Sequence, residues 1–343
     1  MRKFILLIMV ALLALMAVTV YAAPPPDGPP GLERALAAQE AHNPHLLATP
    51  GVVGTAVGLT ADGKATVKIF TEKEGVVGFP DSLDGVPVVV EVIGKLIAIK
   101  GGSSGSSKTL KTTDSWPRPV PIGISTGNAN EVSAGTIAAR LTKKVAGTVY
   151  YYALSNNHVY AREDQAALGE EVLQPGLYDT GGVYDPANHL GNLSAFIPLD
   201  FSGNPNYVDA AIASTNASLL GNTTPTSLGG YGVPNHAPVT ATVGMAVQKF
   251  GRTTQLTKGQ ITGINASVWV TYSSGTALFV DQILVGSSSP FIKAGDSGSL
   301  LVTANSNSNP VGLLFAGNSS GKLAIANRID LVLSAFGVTI DGK

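Results

Sequence analysis

Gly295-Asp296-Ser297-Gly298-Ser299 decides how the rest of the chain is read. The stretch follows an apolar run, Ile283-Leu284-Val285, and a polar Gly-Ser-Ser-Ser-Pro turn, and it leads into strand-like Leu300-Leu301-Val302. Glycine lets the backbone adopt conformations closed to other residues and brings N–H groups close to a ligand. A serine on so tight a turn suits an exposed nucleophile. Taken alone, the stretch also reads as an ordinary Gly/Ser connection between strands, and a chain with 40 glycines has many of those.

A serine nucleophile needs a histidine base and an acid to orient it. The chain has five histidines, and none follows Ser297. That excludes hydrolases in which the histidine comes after the serine. The order left to test is His, Asp, Ser. His158 stands in Ala153-Leu154-Ser155-Asn156-Asn157-His158-Val159, and Asp209 in Tyr207-Val208-Asp209-Ala210-Ala211-Ile212-Ala213. Each follows or opens a short apolar run, where a sheet would hold it in place.

In this order the three segments resemble the triad motifs of chymotrypsin-like serine proteases, closest to the cysteine-poor bacterial and plant, narrow-leaf-like branch. The resemblance covers residues 118–343. It implies a mainly β fold of two six-stranded antiparallel barrels, with the catalytic groups in the cleft between them. It casts Ser297 as nucleophile, His158 as base and Asp209 as its orienting acid, with the N–H groups of Gly295 and Ser297 as the oxyanion hole. Asp296 is expected in a buried pair that shapes this loop, with Arg252 or Arg328 as its cation. Phe291 and the run Leu314, Phe315, Ala316 and Gly317 are expected to line the first substrate pocket. No acid falls there, which points to apolar or small side chains rather than Lys or Arg. The chain departs from the family at three places: Asn156-Asn157 replaces two alanines, Ser299 replaces a glycine, and Phe315 stands where many members have a serine that supports the aspartate.

The rest of the chain supplies address and organisation. Met1-Arg2-Lys3 followed by an uncharged run from Phe4 to Val20 and small residues at Val20-Tyr21-Ala22 reads as a secretory signal peptide over residues 1–22. The alternative is an uncleaved anchor, and no later stretch could span a membrane. The expectation is a secreted or periplasmic protein without stable membrane insertion after cleavage. Losing Arg2 and Lys3 takes the formal net charge from −1 to −3, and no Lys/Arg cluster offers nucleic acid a footprint. There are no cysteines, so an exported form must rely on its core.

Residues 23–100 read as a small α+β unit after a proline-rich spacer. It has a helix over 32–47, strands at 52–59 and 65–70, a hairpin turn at Asp62-Gly63, and further strands at 88–92 and 95–99. His42 and His45 on that helix read as polar surface rather than a metal pair. Gly101-Gly102-Ser103-Ser104-Gly105-Ser106-Ser107 opens a flexible linker, 101–117. The front unit is then a propeptide, an inhibitory or folding module, or a targeting domain. Residues 118–216 and 217–343 read as the two barrels. The loop 179–189 carries two acids and a histidine, but its spacing matches no calcium loop. No metal site or cofactor is read. The expected activity is a secreted serine endopeptidase acting on protein or peptide substrates. The rival readings are a protease-fold binding protein without turnover and a structural β-protein with a coincidental motif.

Overall fold

Short runs of β-branched and aromatic residues broken by glycine and asparagine set the architecture, which is mainly β with few helices. The computed structural model describes residues 29–98 and 110–343. The leader expected over 1–22 and the Gly/Ser run 101–107 lie outside these described residues.

Two sheets curl into barrel-like shapes. In the first, Ser125–Asn128, Glu171–Leu173, His189–Phe196, Ala211–Thr215, Thr148–Ser155 and Ala139–Val145 follow one another across the sheet. The ring is drawn together at residues 135–139. Gly135–Thr136 pairs with Ser125 and Thr126, Ile137 N donates to Ile124 O, and Ala138 N then donates to Leu154 O. One run of chain thus changes partners in mid-course. Val120, Ile122, Val172, Leu190, Ala213 and Leu220 fill this barrel.

The second ring runs Ala246–Gly251, Gln255–Thr271, Thr276–Gly286, Leu323–Arg328, Pro310–Asn318 and Leu300–Thr303, and closes between the last and the first. Its core includes Val247, Ile261, Val285, Phe291, Leu301 and Leu314. A third cluster joins the barrels. Leu141, Leu154 and Ile212 of the first pack with Leu300, Val302 and Leu313 of the second, capped by the helix Ile329–Phe336.

Two expectations about elements change. The separate strands read at 259–264 and 267–272 are one strand of 17 residues, Gln255–Thr271. Its pairing register slips between Ile261 and Val268, and Asn265 adopts a φ of 50°. A bulged strand interrupts its own alternation, so the sequence reads as two pieces. Residues 239–243 are not a strand, although Val239 N does donate to Pro310 O.

The front unit joins the second sheet. Helix Leu32–Ala48 continues through Pro44 and packs Leu32, Ala35, Ala38 and Leu46 against strands Val52–Leu59 and Ala65–Thr71. Val52–Leu59 pairs in turn with Gln255–Thr271, with Gly54 opposite Val268 and Thr55 opposite Ser267. At Gly54 a β-carbon would run into Ser267 O and the Val268 side chain, so only glycine permits this approach. Gln39 Nε2 donates to Asn265 O (2.9 Å) and Asn43 Nδ2 to Ser267 Oγ (2.7 Å), fixing the helix to the bulge. His42 pairs with Asp84 at 3.1 Å on the surface of this unit. Among the described residues, no helix is long and apolar enough to cross a membrane.

Candidate active site

Strand Thr148–Ser155 runs through the first barrel and ends in a single helical turn, Asn157–Tyr160, which carries His158. Asp209 lies just ahead of the neighbouring strand Ala211–Thr215, and Ala211 is registered against Ser155. Adjacent strand ends therefore bring the two side chains together. His158 Nδ1 and Asp209 Oδ2 lie 2.5 Å apart, and His158 N donates to Asp209 Oδ1 at 3.2 Å. An ionised carboxylate can only accept, so Nδ1 is the donor of this pair. His158 Nε2 is buried and has no hydrogen-bond partner among the described residues.

The asparagines before the histidine are used. Asn156 Nδ2 donates to Asp209 O (2.7 Å), and Asn157 Nδ2 donates to Asp164 Oδ1 (2.6 Å) and Ile197 O (2.8 Å). Alanines could not make these bonds, which pin both ends of the His158–Asp209 contact. Asp209 N donates to Asn327 Oδ1 at 3.0 Å, and Asn327 is held by Gln282 of the second barrel.

Sequence reasoning missed Tyr272. It sits at the end of strand Gln255–Thr271, and its hydroxyl donates to Asp209 Oδ2 at 2.9 Å. Its ring meets the His158 imidazole edge-on at 5.9 Å between centroids. Burial, and then the negative charge of Asp209, push the Tyr272 phenol well above its ordinary range, so it stays a donor. Tyr272 thus fills the role that Phe315 cannot. The hairpin that carries it is anchored to the first barrel: Ser273 Oγ and Ser274 N donate to Glu163. A signal was present in the polar Tyr272-Ser273-Ser274 tip, but only the fold shows that it reaches the other barrel.

Ser297 lies between Gly295 (φ 96°) and Gly298 (φ 88°), both in the left-handed region. A β-carbon on Gly298 would strike Thr136 O and the Ser155 hydroxyl. The serine loop therefore presses on the end of the strand that leads to His158. Ser297 O accepts from Thr136 N at 2.8 Å, Gly295 O accepts from Thr136 Oγ1 at 2.8 Å, and Ser297 Oγ donates to Phe315 O at 3.3 Å. His158, Asp209 and Ser297 are all fully buried.

Asp296 is paired with Lys249, not with either arginine expected of it. Lys249 Nζ lies 3.5 Å from Asp296 Oδ2, and both side chains are fully buried. The carboxylate also accepts Thr253 N, Thr254 N, Thr254 Oγ1 and Lys293 N at 2.7–3.1 Å. Burial lowers the Lys249 ammonium from its ordinary range, and Asp296 works against that shift. Arg252 is taken by Asp179, which accepts its Nε at 2.7 Å and also bonds Ser125 Oγ. Arg328 pairs with Asp281 and Asp330. Asp179 belongs to the loop weighed as a cation site, and its charge is spent on Arg252. Among the described residues, no group of three or more His, Asp or Glu stands ready for a metal.

The residues expected around the first pocket fall in two places. Phe291 is fully buried in the core of the second barrel, and its carbonyl accepts Thr257 Oγ1 at 2.8 Å. Leu314, Phe315, Ala316 and Gly317 lie on strand Pro310–Asn318, which passes beside Ser297.

The family model for the Nal1 C-terminal domain matches residues 214–340, less than half of the chain. No curated protein matches. Among solved structures, the chain is similar to a glutamic acid specific serine protease (23% identity, TM-score 0.45), with 64% of this chain and 100% of that chain covered. Thermobifida fusca protease A gives 19% identity and a TM-score of 0.46 over 65% and 100% of the two chains. Cellulomonas bogoriensis chymotrypsin gives 23% and 0.45 over 65% and 99%.

Proposed function

We propose that this chain is an exported serine endopeptidase that cleaves protein or peptide substrates through His158, Asp209 and Ser297. One observation carries the reading: His158 has Nδ1 committed to Asp209 and Nε2 unengaged among the described residues, and the serine loop, built on two left-handed glycines, presses on Ser155 of the strand that leads to His158. Ser297 Oγ adds to the scissile carbonyl while its proton passes to His158 Nε2. The C–N bond then breaks, the leaving amine takes that proton, and water repeats the sequence to release the acyl group. Asp209 holds the tautomer and offsets the imidazolium charge. The N–H groups of Gly295 and Ser297 receive the oxyanion, each worth about 3 kcal/mol. Residues 314–317, on the strand that passes beside Ser297, shape the first pocket; no carboxylate among them would favour Lys or Arg, which leaves apolar or small side chains. The leader over residues 1–22 supports export, and the net charge gives nucleic acid no purchase.

The complete burial of Ser297 and His158 favours a second reading, a protease-fold binding protein that does not turn over. Prolonged incubation with a fluorophosphonate, followed by peptide mapping, separates the two. An adduct on Ser297 that is absent from Ser297→Ala and lost in His158→Ala is the expected result. An unlabelled, folded protein would leave the binding reading.

A further inference from the structure

Strand Pro310–Asn318 has Leu323–Arg328 along one edge. Three partners follow one another along its other edge. Leu300 and Leu301 pair with Leu313 and Gly312. The nucleophile loop comes next: Leu314 N donates to Ser299 O (3.0 Å), Gly298 N to Leu314 O (2.8 Å), and Ser297 Oγ to Phe315 O (3.3 Å). Beyond it, Ala316, Gly317 and Asn318 pair with Ala98, Ile97 and Leu96. The short strand Leu96–Ala98 is also bonded on its far side, where Leu96 and Ile97 pair with Val270 and Thr271. A piece of the front unit is thus wedged between two strands of the second barrel, directly after the catalytic serine.

Its direction matters. Pairing with Pro310–Asn318 is antiparallel, so Leu96–Ala98 runs toward the serine and its C-terminal end lies nearest Ser297. The acyl half of a peptide substrate has this polarity, because the carbonyl under attack follows the residues bound along the edge. Extended peptides bind open sheet edges in this way, with main-chain bonds giving affinity and alternate side chains giving selectivity. The alternation is visible here. Leu96 is 1% exposed and packs in the cluster with Val270, Tyr272, Phe279 and Phe315, whereas Ile97 is 40% exposed.

We propose that Leu96–Ala98 is a built-in occupant of this chain's own peptide groove, so that the protein folds in a latent form, and that the groove selects extended peptides with a large aliphatic residue where Leu96 sits. The proposal rests on the serine peptidase reading for its consequence and on the strand ladder for its geometry. The occupied groove fits the burial of the triad without loss of catalytic competence. Apparent reactivity is then the intrinsic reactivity multiplied by the fraction of molecules in which the segment has left.

The test compares Ser297 labelling by a fluorophosphonate in the unchanged protein, in Ile97→Pro, which removes a ladder N–H, and in Leu96→Ala, which removes the buried anchor. Both variants are expected to label at least about tenfold faster. Adding acetyl-Leu-Ile-Ala-amide should slow them back toward the unchanged protein, and acetyl-Asp-Ile-Ala-amide should need at least about tenfold more peptide to do so. Equal labelling rates in all three, with unaltered thermal unfolding, would overturn self-occupancy and leave the triad reading standing. If no form acquires an adduct, the triad reading falls and amide exchange decides the groove. Faster exchange across residues 316–318 in Ile97→Pro, re-protected by the leucine peptide, would uphold it; unchanged exchange would overturn it.

Discussion

Tyr272 supplies Asp209 with a hydroxyl donor from a different strand than the one the sequence motif points to. The bond is 2.9 Å, buried and made to a charged acceptor, a class worth about 1.5–3 kcal/mol. Tyr272→Phe keeps the ring against His158 and Phe279 and deletes only the donor. The expected outcome is a fall in kcat of about tenfold with KM nearly unchanged, because the carboxylate is less well fixed when the imidazolium forms. Steady-state kinetics on an apolar peptide p-nitroanilide would check it; a change confined to KM would assign Tyr272 to substrate binding instead. Asn156 and Asn157 make the same point from the other side. They look like departures from a small-residue motif, and each holds a carbonyl or carboxylate that small residues would leave to water.

At the scale of elements, the loop that carries Ser297 is built on a buried ion pair. Lys249 comes from strand Ala246–Gly251, and Asp296 gathers four further donors from residues 253, 254 and 293. Removing one charge strands the other, which costs about 3–5 kcal/mol. Asp296→Asn is therefore expected to lower stability by about 3 kcal/mol, read from the urea unfolding midpoint, and to abolish Ser297 labelling as the loop loses its anchor. Retained labelling at normal rate would show that the loop is held by its glycines and by Thr136 alone. The bulged strand Gln255–Thr271 is the other decisive element. It belongs to the second barrel, pairs with the front unit and leads directly into Tyr272, so a single strand connects front unit, barrel and Asp209.

The whole molecule adds a pH dependence. Burial raises the phenols of Tyr160 and Tyr272, and Asp209 adds to the effect at Tyr272. In the unfolded chain these groups ionise near their ordinary value of 10.0, so the unfolded state releases protons first as pH rises. Stability from these tyrosines is fully present below that value and is lost progressively above it. Urea unfolding should show a lower midpoint at about pH 11 than at about pH 8, and the loss should shrink in Tyr272→Phe. An unchanged midpoint would mean that both phenols titrate normally. At the same scale, the front unit is bonded into the second sheet through its helix and strand Val52–Leu59.

What the sequence determined by itself was local. The order of the three proposed catalytic residues, His158, Asp209 and Ser297, was read from a resemblance to known motifs, whereas the glycine-flanked turn, the strand-rich composition and most strand positions follow from alternation and turn residues that neighbours carry. The His158–Asp209 contact was legible through the resemblance and through the apolar run flanking each residue; that the two strand ends are neighbours came from the fold. What only the tertiary structure decided were the pairings between residues far apart in the chain: Tyr272 with Asp209, Lys249 with Asp296, and Leu96–Ala98 beside Ser297. Each joins segments whose local pattern is unremarked surface or strand. An isolated lysine or a three-residue strand carries no periodicity, and its partner is set by how the sheets close, bulge and cross. The physical reason is that backbone propensity acts over a few residues, whereas burial and hydrogen-bond satisfaction are settled over the whole fold.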